Sequence, residues 1–250
     1  MRIIDLSVPI EHRAKSEPIP ATIRYSSHAD GAKHLGKPFG ATEKDFPDGL
    51  GLASEELQVI THCGTHLDAP WHFGPTSEGK KSKTIDEVPL EWCYGNACVI
   101  DVSHKEDRSE IKVKDVEAAL KKVKYKIKPG DIVLIRTGRD KAWGRADYPW
   151  VHPGMSAEAT LWLLDKGVKV IGTDAYGFDR PFQTMFEEHR KGRKNALWPA
   201  HFAGRVREYC HIEKLANLEL LPPHGFRFAA FPIKIKGASA GWVRAVAIVE

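Results

Sequence analysis

Four side chains able to hold a metal or move a proton, His62, His66, Asp68 and His72, fall within the eleven-residue run H-C-G-T-H-L-D-A-P-W-H. Imidazole and carboxylate are ligands for borderline divalent ions such as zinc and manganese. Polar loop chemistry would account for any one of the four, but their number at this spacing points to a metal. No regular element brings the first three together. On a helix Asp68 would lie roughly 200° around from His66, and on an extended strand His62 and His66 would stand about 13 Å apart. Gly64 can take φ > 0 and fold the two histidines together, while Pro70 holds Ala69 extended and ends any helix. The stretch reads as a strand end running into a turn, with His62, His66 and Asp68 converging on one cation.

Other elements must position that turn. Ile3 to Ile10 suits a buried strand, and Glu56 to Thr61 alternates well enough to be the strand that delivers His62. Between them, residues 11–52 are rich in Gly, Pro and charge without periodicity, and are expected to form an irregular arm or lid. His28 and His34 in that arm read as surface residues, although one of them could reach a bound substrate. Downstream, Thr84 to Cys93 suits a helical turn and Ala97 begins a strand. Val113, Val116, Ala119, Leu120 and Val123 recur at helical spacing, and Lys128-Pro129-Gly130 then turns the chain into the strand D-I-V-L-I-R-T. Ser156 is an N-cap for a second helix that ends at Gly167, and V-K-V-I-G-T-D follows as another buried strand. This helix-then-strand grammar predicts an α/β fold with a mixed twisted sheet flanked by helices. Asp174, at the end of that strand, reads either as a carboxylate orienting a ligand histidine or as the cap of a turn.

His201 and Glu213 form a further pair. One straight helix would separate them by about 18 Å, so they meet only if the chain reverses, and Gly204 offers the break. Composition alone leaves both as structural residues.

The eleven-residue run resembles the signature H-x-G-T-H-x-D-x-P-x-H of the cyclase family of metal-dependent hydrolases, which includes bacterial kynurenine formamidase and isatin hydrolase. The likeness extends from I-I-D-L-S-V-P-I to F-P-I-K-I-K-G-A-S-A-G-W-V-R-A-V-A-I. It implies a swivelling β/β/α fold and one or two divalent ions, Zn2+ or Mn2+. By the resemblance, His62, His66 and Asp68 would hold the first ion. Asp68 would bridge to a second held by His201 and Glu213, His72 would be the catalytic histidine, and His211 would stand apart. His72 as a fourth ligand is the competing reading. The place of Tyr176 and the length of the 11–52 arm both depart from the formamidase pattern. The family's habits and the long arm also suggest a homo-oligomer, a dimer or tetramer.

The chain of 250 residues is 42% apolar and 28% charged, with a formal net charge of +4. It has no Ser/Gly-rich or Pro-rich linker, so residues 1–250 are expected to form one domain. No apolar run approaches the roughly 18 residues of a membrane span, and no nucleic-acid motif accompanies the mild positive charge. Asp5, Glu11 and Arg13 interrupt what would be a signal peptide's apolar core, so the cytoplasm is the expected location. Cys63, Cys93, Cys98 and Cys210 lack a C-x-x-C spacing and read as buried thiols, with a metal or redox role open only for Cys63.

The expected reaction is hydrolysis of a carbon–nitrogen amide bond, in an N-formyl arylamine or a cyclic amide, by metal-bound hydroxide with His72 as general base and acid. Trp71, Phe73, Tyr176 and Trp198 are the candidate walls for an aromatic substrate. A cyclase or lyase working through a stabilised enolate, or a non-catalytic metal- or ligand-binding protein, would use the same donors. Every metal reading requires Asp68, so Asp68→Ala is expected to lose bound metal. Full metal occupancy of that variant by elemental analysis would refute the assignment.

Overall fold

The central strands are apolar on both sides. In I-V-L-I-R, Ile132 and Leu134 face one way and Val133 and Ile135 the other, because successive side chains alternate across a strand, and all four are buried. Such strands need cover on both faces. The computed structural model, which describes residues Met1–Glu250, shows how they obtain it. Helices Val113–Lys122 and Ala157–Leu164 cover one face with Val116, Leu120, Ala159 and Leu163. The other face closes on itself. Ile4 on one edge strand and Leu67 near the opposite edge join a single apolar cluster, which the nine-stranded sheet allows by curling.

The sheet runs in the order Arg2–Asp5, Val246–Val249, His224–Ala229, Tyr94–Asp101, Ile132–Arg136, Val170–Thr173, Cys210–Glu213, His66–Asp68, Ala240–Trp242. The four strands from Tyr94–Asp101 to Cys210–Glu213 are parallel neighbours, and the flanks are antiparallel. This is the mixed α/β sheet that the helix-then-strand pattern predicts. Ser156 caps its helix as expected, its Oγ accepting from the Ala159 amide at 3.1 Å. The α-helix stops at Leu164, and the last turn toward Gly167, at φ +86°, closes with shorter-range bonds from Lys166 to Leu163 and from Gly167 to Leu164.

The segment expected to be irregular is more ordered than its composition suggests. Thr22–Ser26 pairs antiparallel with Ser54–Gln58, and the helix His28–Gly36 lies between them, opened by a capping box of Ser27 and Asp30. Ser54–Gln58 is exposed along its whole length, so backbone pairing with its neighbour carries it rather than a buried face. It also ends before Val59, and His62 is reached through a turn rather than delivered from a strand. His28 and His34 are exposed. The first strand is likewise shorter than the apolar run, Arg2–Asp5, with Leu6 and Val8 buried beyond it.

The four cysteines are free and buried. Cys63 packs with Ala21 and Ile23, and burial pushes its thiol up to about 11, so the free thiol is protonated at neutral pH.

One buried ion pair ties the arm to the sheet. The Lys214 ammonium donates to both Glu17 oxygens at 2.9 and 2.8 Å and to the His62 carbonyl at 2.8 Å, while Glu17 also accepts from the Gly64 amide at 2.9 Å. Both side chains are almost wholly buried. Removing one partner of such a pair strands a charge, so Glu17→Ala is expected to cost about 3–5 kcal/mol in urea denaturation, with Glu17→Met/Lys214→Met recovering most of it. A loss for Glu17→Ala below about 1 kcal/mol would mean that water replaces the carboxylate.

Candidate metal centre and its cavity

The register of two short strands assembles the site. His66–Asp68 pairs antiparallel with Cys210–Glu213 so that Asp68 lies opposite His211 and His66 opposite Glu213. Side chains two apart on a strand share a face, and cross-strand Cβ atoms stand about 4.5–5.5 Å apart. Four polar side chains therefore cluster on one side, while Leu67 and Ile212, one residue out of phase, enter the apolar core. The chain reversal between His201 and Glu213 occurs as expected at Gly204, which follows the helix Pro199–Ala203. Its φ is ordinary. Glycine is needed because a Cβ would sit 2.3 Å from the Phe73 ring. Gly64 takes φ +66° and turns His62 back toward Asp68.

The imidazoles are aimed by their neighbours. His66 Nδ1 lies 2.9 Å from the Gly64 carbonyl, His62 Nε2 3.2 Å from Ser239 Oγ, His201 Nδ1 2.5 Å from Asp179 Oδ2, and His211 Nδ1 3.2 Å from the Tyr209 hydroxyl. The free nitrogens then point inward. His62 Nδ1 is 2.9 Å and His66 Nε2 3.3 Å from Asp68 Oδ1, and His211 Nε2 is 3.1 Å and His201 Nε2 3.9 Å from Asp68 Oδ2. Glu213 adds Oε1 at 3.4 Å from His211 and 3.8 Å from His201, and Oε2 at 3.7 Å from His66.

These residues fit a divalent cation. His66 Nε2, His211 Nε2 and both Asp68 oxygens are buried and, despite their closeness, make no properly angled hydrogen bond to one another. Bonds of about 2.0–2.2 Å to one ion place tetrahedral ligands roughly 3.3–3.6 Å apart, which matches this spacing. The donor atoms fall into two groups that share Asp68. One comprises Asp68, His201, His211 and Glu213, and the other His62, Asp68 and His72. His66 contacts Asp68 and Glu213 from between them.

His211 does not stand apart. The strand register sets it directly against Asp68, and the signal was present in the sequence, since H-I-E repeats the alternation of H-L-D. Asp179 was not legible. It lies in a loop yet accepts from the Ala200 and His201 amides as well as holding the His201 ring. Asp174 serves instead as a turn cap, accepting from Thr137 N and Oγ1 and from Gly138 N, and burial pushes its carboxyl up to about 6.

The electrostatics follow from crowding. Burial alone would raise the Asp68 carboxyl, but His72, His62 and His66 outweigh it and hold Asp68 well below the usual carboxylate range. Burial likewise disfavours the charged form of His211, yet the adjacent Asp68 and Glu213 lift it to about 9. His72 differs. Burial drives it down to about 4, against the pull of Asp68, and its Nε2 stands 3.8 Å from Asp68 Oδ2 with a third of the side chain exposed.

A cavity of about 380 Å³ opens above His62, His72, His201 and Glu213. Tyr176 and Trp198 line it. Trp71 and Phe73 do not. On the short helix Pro70–Phe73, neighbours of His72 are turned about 100° away, which exposes Trp71 and buries Phe73 beneath the site, stacked on His211 at 5.0 Å. Phe178 stacks on the other side of His211 at 4.4 Å. Trp198 enters the cavity from a left-handed backbone, φ 46° and ψ 47°, a conformation that costs a bulky residue on the order of 1–3 kcal/mol.

A family model named Putative cyclase matches residues 4–180, a span that includes the whole His62–His72 run. The chain belongs to that family. Among cyclase-family relatives, a kynurenine formamidase of Bacillus thuringiensis (strain Al Hakam) is 25% identical over 248 residues, covering 97% of this chain and 95% of its own. A kynurenine formamidase of Salinibacter ruber is 29% identical over 196 residues, 76% of this chain and 77% of its own. An isatin hydrolase bound to the product analogue thioisatinate has the same fold, with a TM-score of 0.77 at 22% identity across 99% of this chain and 92% of that one.

Partners that aim a ligand histidine typically contribute 10- to 100-fold to metal affinity, roughly. Asp179→Asn is therefore expected to weaken metal binding by about 10-fold or more in a chelator competition titration, with the fold intact by circular dichroism. Unchanged affinity would show that His201 needs no tether.

Proposed function

We propose that this chain is a metal-dependent hydrolase of a carbon–nitrogen amide bond, acting on an N-formyl arylamine or a cyclic amide. The observation that carries the reading is the convergence of buried, unpartnered nitrogen and oxygen atoms on Asp68, beside a cavity edged by a His72 whose side chain is one-third exposed. The named activities of the kynurenine formamidase relatives support the same chemistry.

His62, His66 and Asp68 would hold one divalent ion, zinc or manganese. Asp68 with His201, His211 and Glu213 would hold a second. A cation there supplies Lewis acidity, polarising a carbonyl and acidifying water. The chain's own residues do the rest. His72 is a neutral imidazole at pH 7, since burial keeps its pKa near 4, so its Nε2 is free to take a proton from water as the carbon–oxygen bond forms. It then delivers that proton to the amide nitrogen as the carbon–nitrogen bond breaks. Tyr176, Phe182 and Trp198 shield the reacting edge from bulk solvent.

No helix is long and apolar enough to cross a membrane. We place the protein in the cytoplasm, consistent with four free cysteines. The exposed Tyr25 and Leu52 of the arm, with Leu57 on the strand paired to it, suit a homo-oligomer.

Screening formanilides, cyclic imides, isatin and lactones against protein loaded separately with zinc and manganese tests the reading. Hydrolysis in 18O-water must place solvent oxygen in the product acid; its absence would favour a lyase. His72→Ala is expected to lower kcat by about 100-fold or more with metal content near normal, and unchanged turnover would remove His72 from the mechanism.

A further inference from the structure

Two cations stand in the cavity wall, and both are already neutralised. Arg180 is 6% exposed and makes two hydrogen bonds to Glu188, at 2.6 and 2.5 Å. Lys214 directs its ammonium to both Glu17 oxygens and to the His62 carbonyl, and its remaining face lies 4.5 Å from the centre of the Tyr176 ring, which stands between it and the rest of the aromatic wall. The rest of the wall beyond the metal cluster is largely apolar, built from Ile19, Ile60, Tyr176, Phe182, Trp198 and Phe202. Phe182 and Trp198 meet edge to face at 5.4 Å, and Tyr176 stands 6.4 Å from Phe182. A carboxylate on the distal part of a substrate would find no free cation there and would be desolvated against aromatic rings.

Gly177 lies between this wall and the cluster. A Cβ at this position would stand 3.8 Å from His152 Cε1 and 3.9 Å from Glu213 Oε1, both ordinary contacts. The fold therefore tolerates alanine at 177, and glycine leaves a methyl-sized space beside Glu213.

We infer that the site selects an uncharged aromatic amide, with its ring against Tyr176, Phe182 and Trp198 and its reacting edge over Gly177, and rejects an amide whose ring carries a free carboxylate. The inference rests on the hydrolase reading and narrows its substrate class. An amino-acid substrate such as N-formylkynurenine, whose side chain would bring a carboxylate and an ammonium against the same uncharged wall, also falls on the rejected side, and a neutral formanilide or a bicyclic amide such as isatin on the accepted side. The cavity's volume, toward the low end of the roughly 300–1,000 Å³ of small-molecule sites, suits one flat ring system.

The test uses metal-loaded protein and formanilides that carry, at the meta or para position, either a carboxylate or a carboxamide of equal size. The carboxylates are expected to show kcat/KM about 30-fold or more below the carboxamides, with the loss in KM, and N-formylkynurenine about 10-fold or more below formanilide. Carboxylates turned over as well as carboxamides would overturn the inference. Glu188→Gln, which removes the carboxylate that Arg180 shares with Arg193 and leaves only Glu110 at 4.0 Å from Arg180, should narrow the gap about threefold or more while leaving carboxamide kinetics unchanged; an unaltered gap would remove Arg180's neutralisation as its cause. Gly177→Ala should raise KM for isatin about fivefold or more at full metal content and unchanged melting temperature, and an unchanged KM would refute the placement over Gly177. Failure to hydrolyse any amide would refute the hydrolase reading instead. Calorimetric binding of the same carboxylate and carboxamide pair would then still decide charge preference, with tighter carboxylate binding counting against it.

Discussion

Two buried carboxylates, Asp68 and Glu213, project from paired strands into one small volume, and that enforced closeness of like charge is the constraint around which the molecule is built. Buried carboxylates this near each other are tolerable only with positive charge between them. The chain surrounds them with His62, His66, His201 and His211 and fixes one nitrogen of each ring so that the other faces inward. Protons and a divalent ion compete for those inward atoms, which ties metal affinity to pH.

The sheet makes this crowding possible because it is rigid where the carboxylates sit. The His66–Asp68 strand is hydrogen-bonded on both sides, to Cys210–Glu213 and to Ala240–Trp242. Its odd residue, Leu67, is locked into the apolar core. Strand alternation then leaves no freedom about which face the ligands occupy. Above this platform the two aromatic rings of Phe73 and Phe178 enclose His211, so this fully buried imidazole is held by packing as well as by hydrogen bonding.

Much of this was legible in the sequence, and the rest failed for identifiable reasons. The His62–His72 run announced its chemistry because donor density and a positive-φ glycine are local features. The helix at Val113–Lys122 and the strand at Ile132–Arg136 were legible because their apolar periods match the faces they bury. The Thr22–Ser26 and Ser54–Gln58 ribbon was legible only in part, since the alternation from Glu56 marks a strand but places it too late, and nothing in the exposed Ser54–Gln58 announces its pairing with Thr22–Ser26. His211 is not legible as a neighbour of Asp68 because strand pairing between residues far apart in sequence decides it, although its alternation with Glu213 is readable. Asp179 had no period or motif to mark it. Trp71 and Phe73 were misplaced because adjacency to His72 in sequence says nothing of direction once the backbone turns helical.

Lys214 has a left-handed backbone, φ 60°, immediately after Glu213, and its ammonium grips the carbonyl of His62 together with a carboxylate from the arm. The outer arm and the loop that presents His62 are thus fastened by one ammonium. An exchange of this arm for a relative's would carry residue 17 away with it, leaving a lone cation against the loop that presents His62. The boundary between scaffold and active site that a chain diagram would draw near residue 52 does not exist in the molecule.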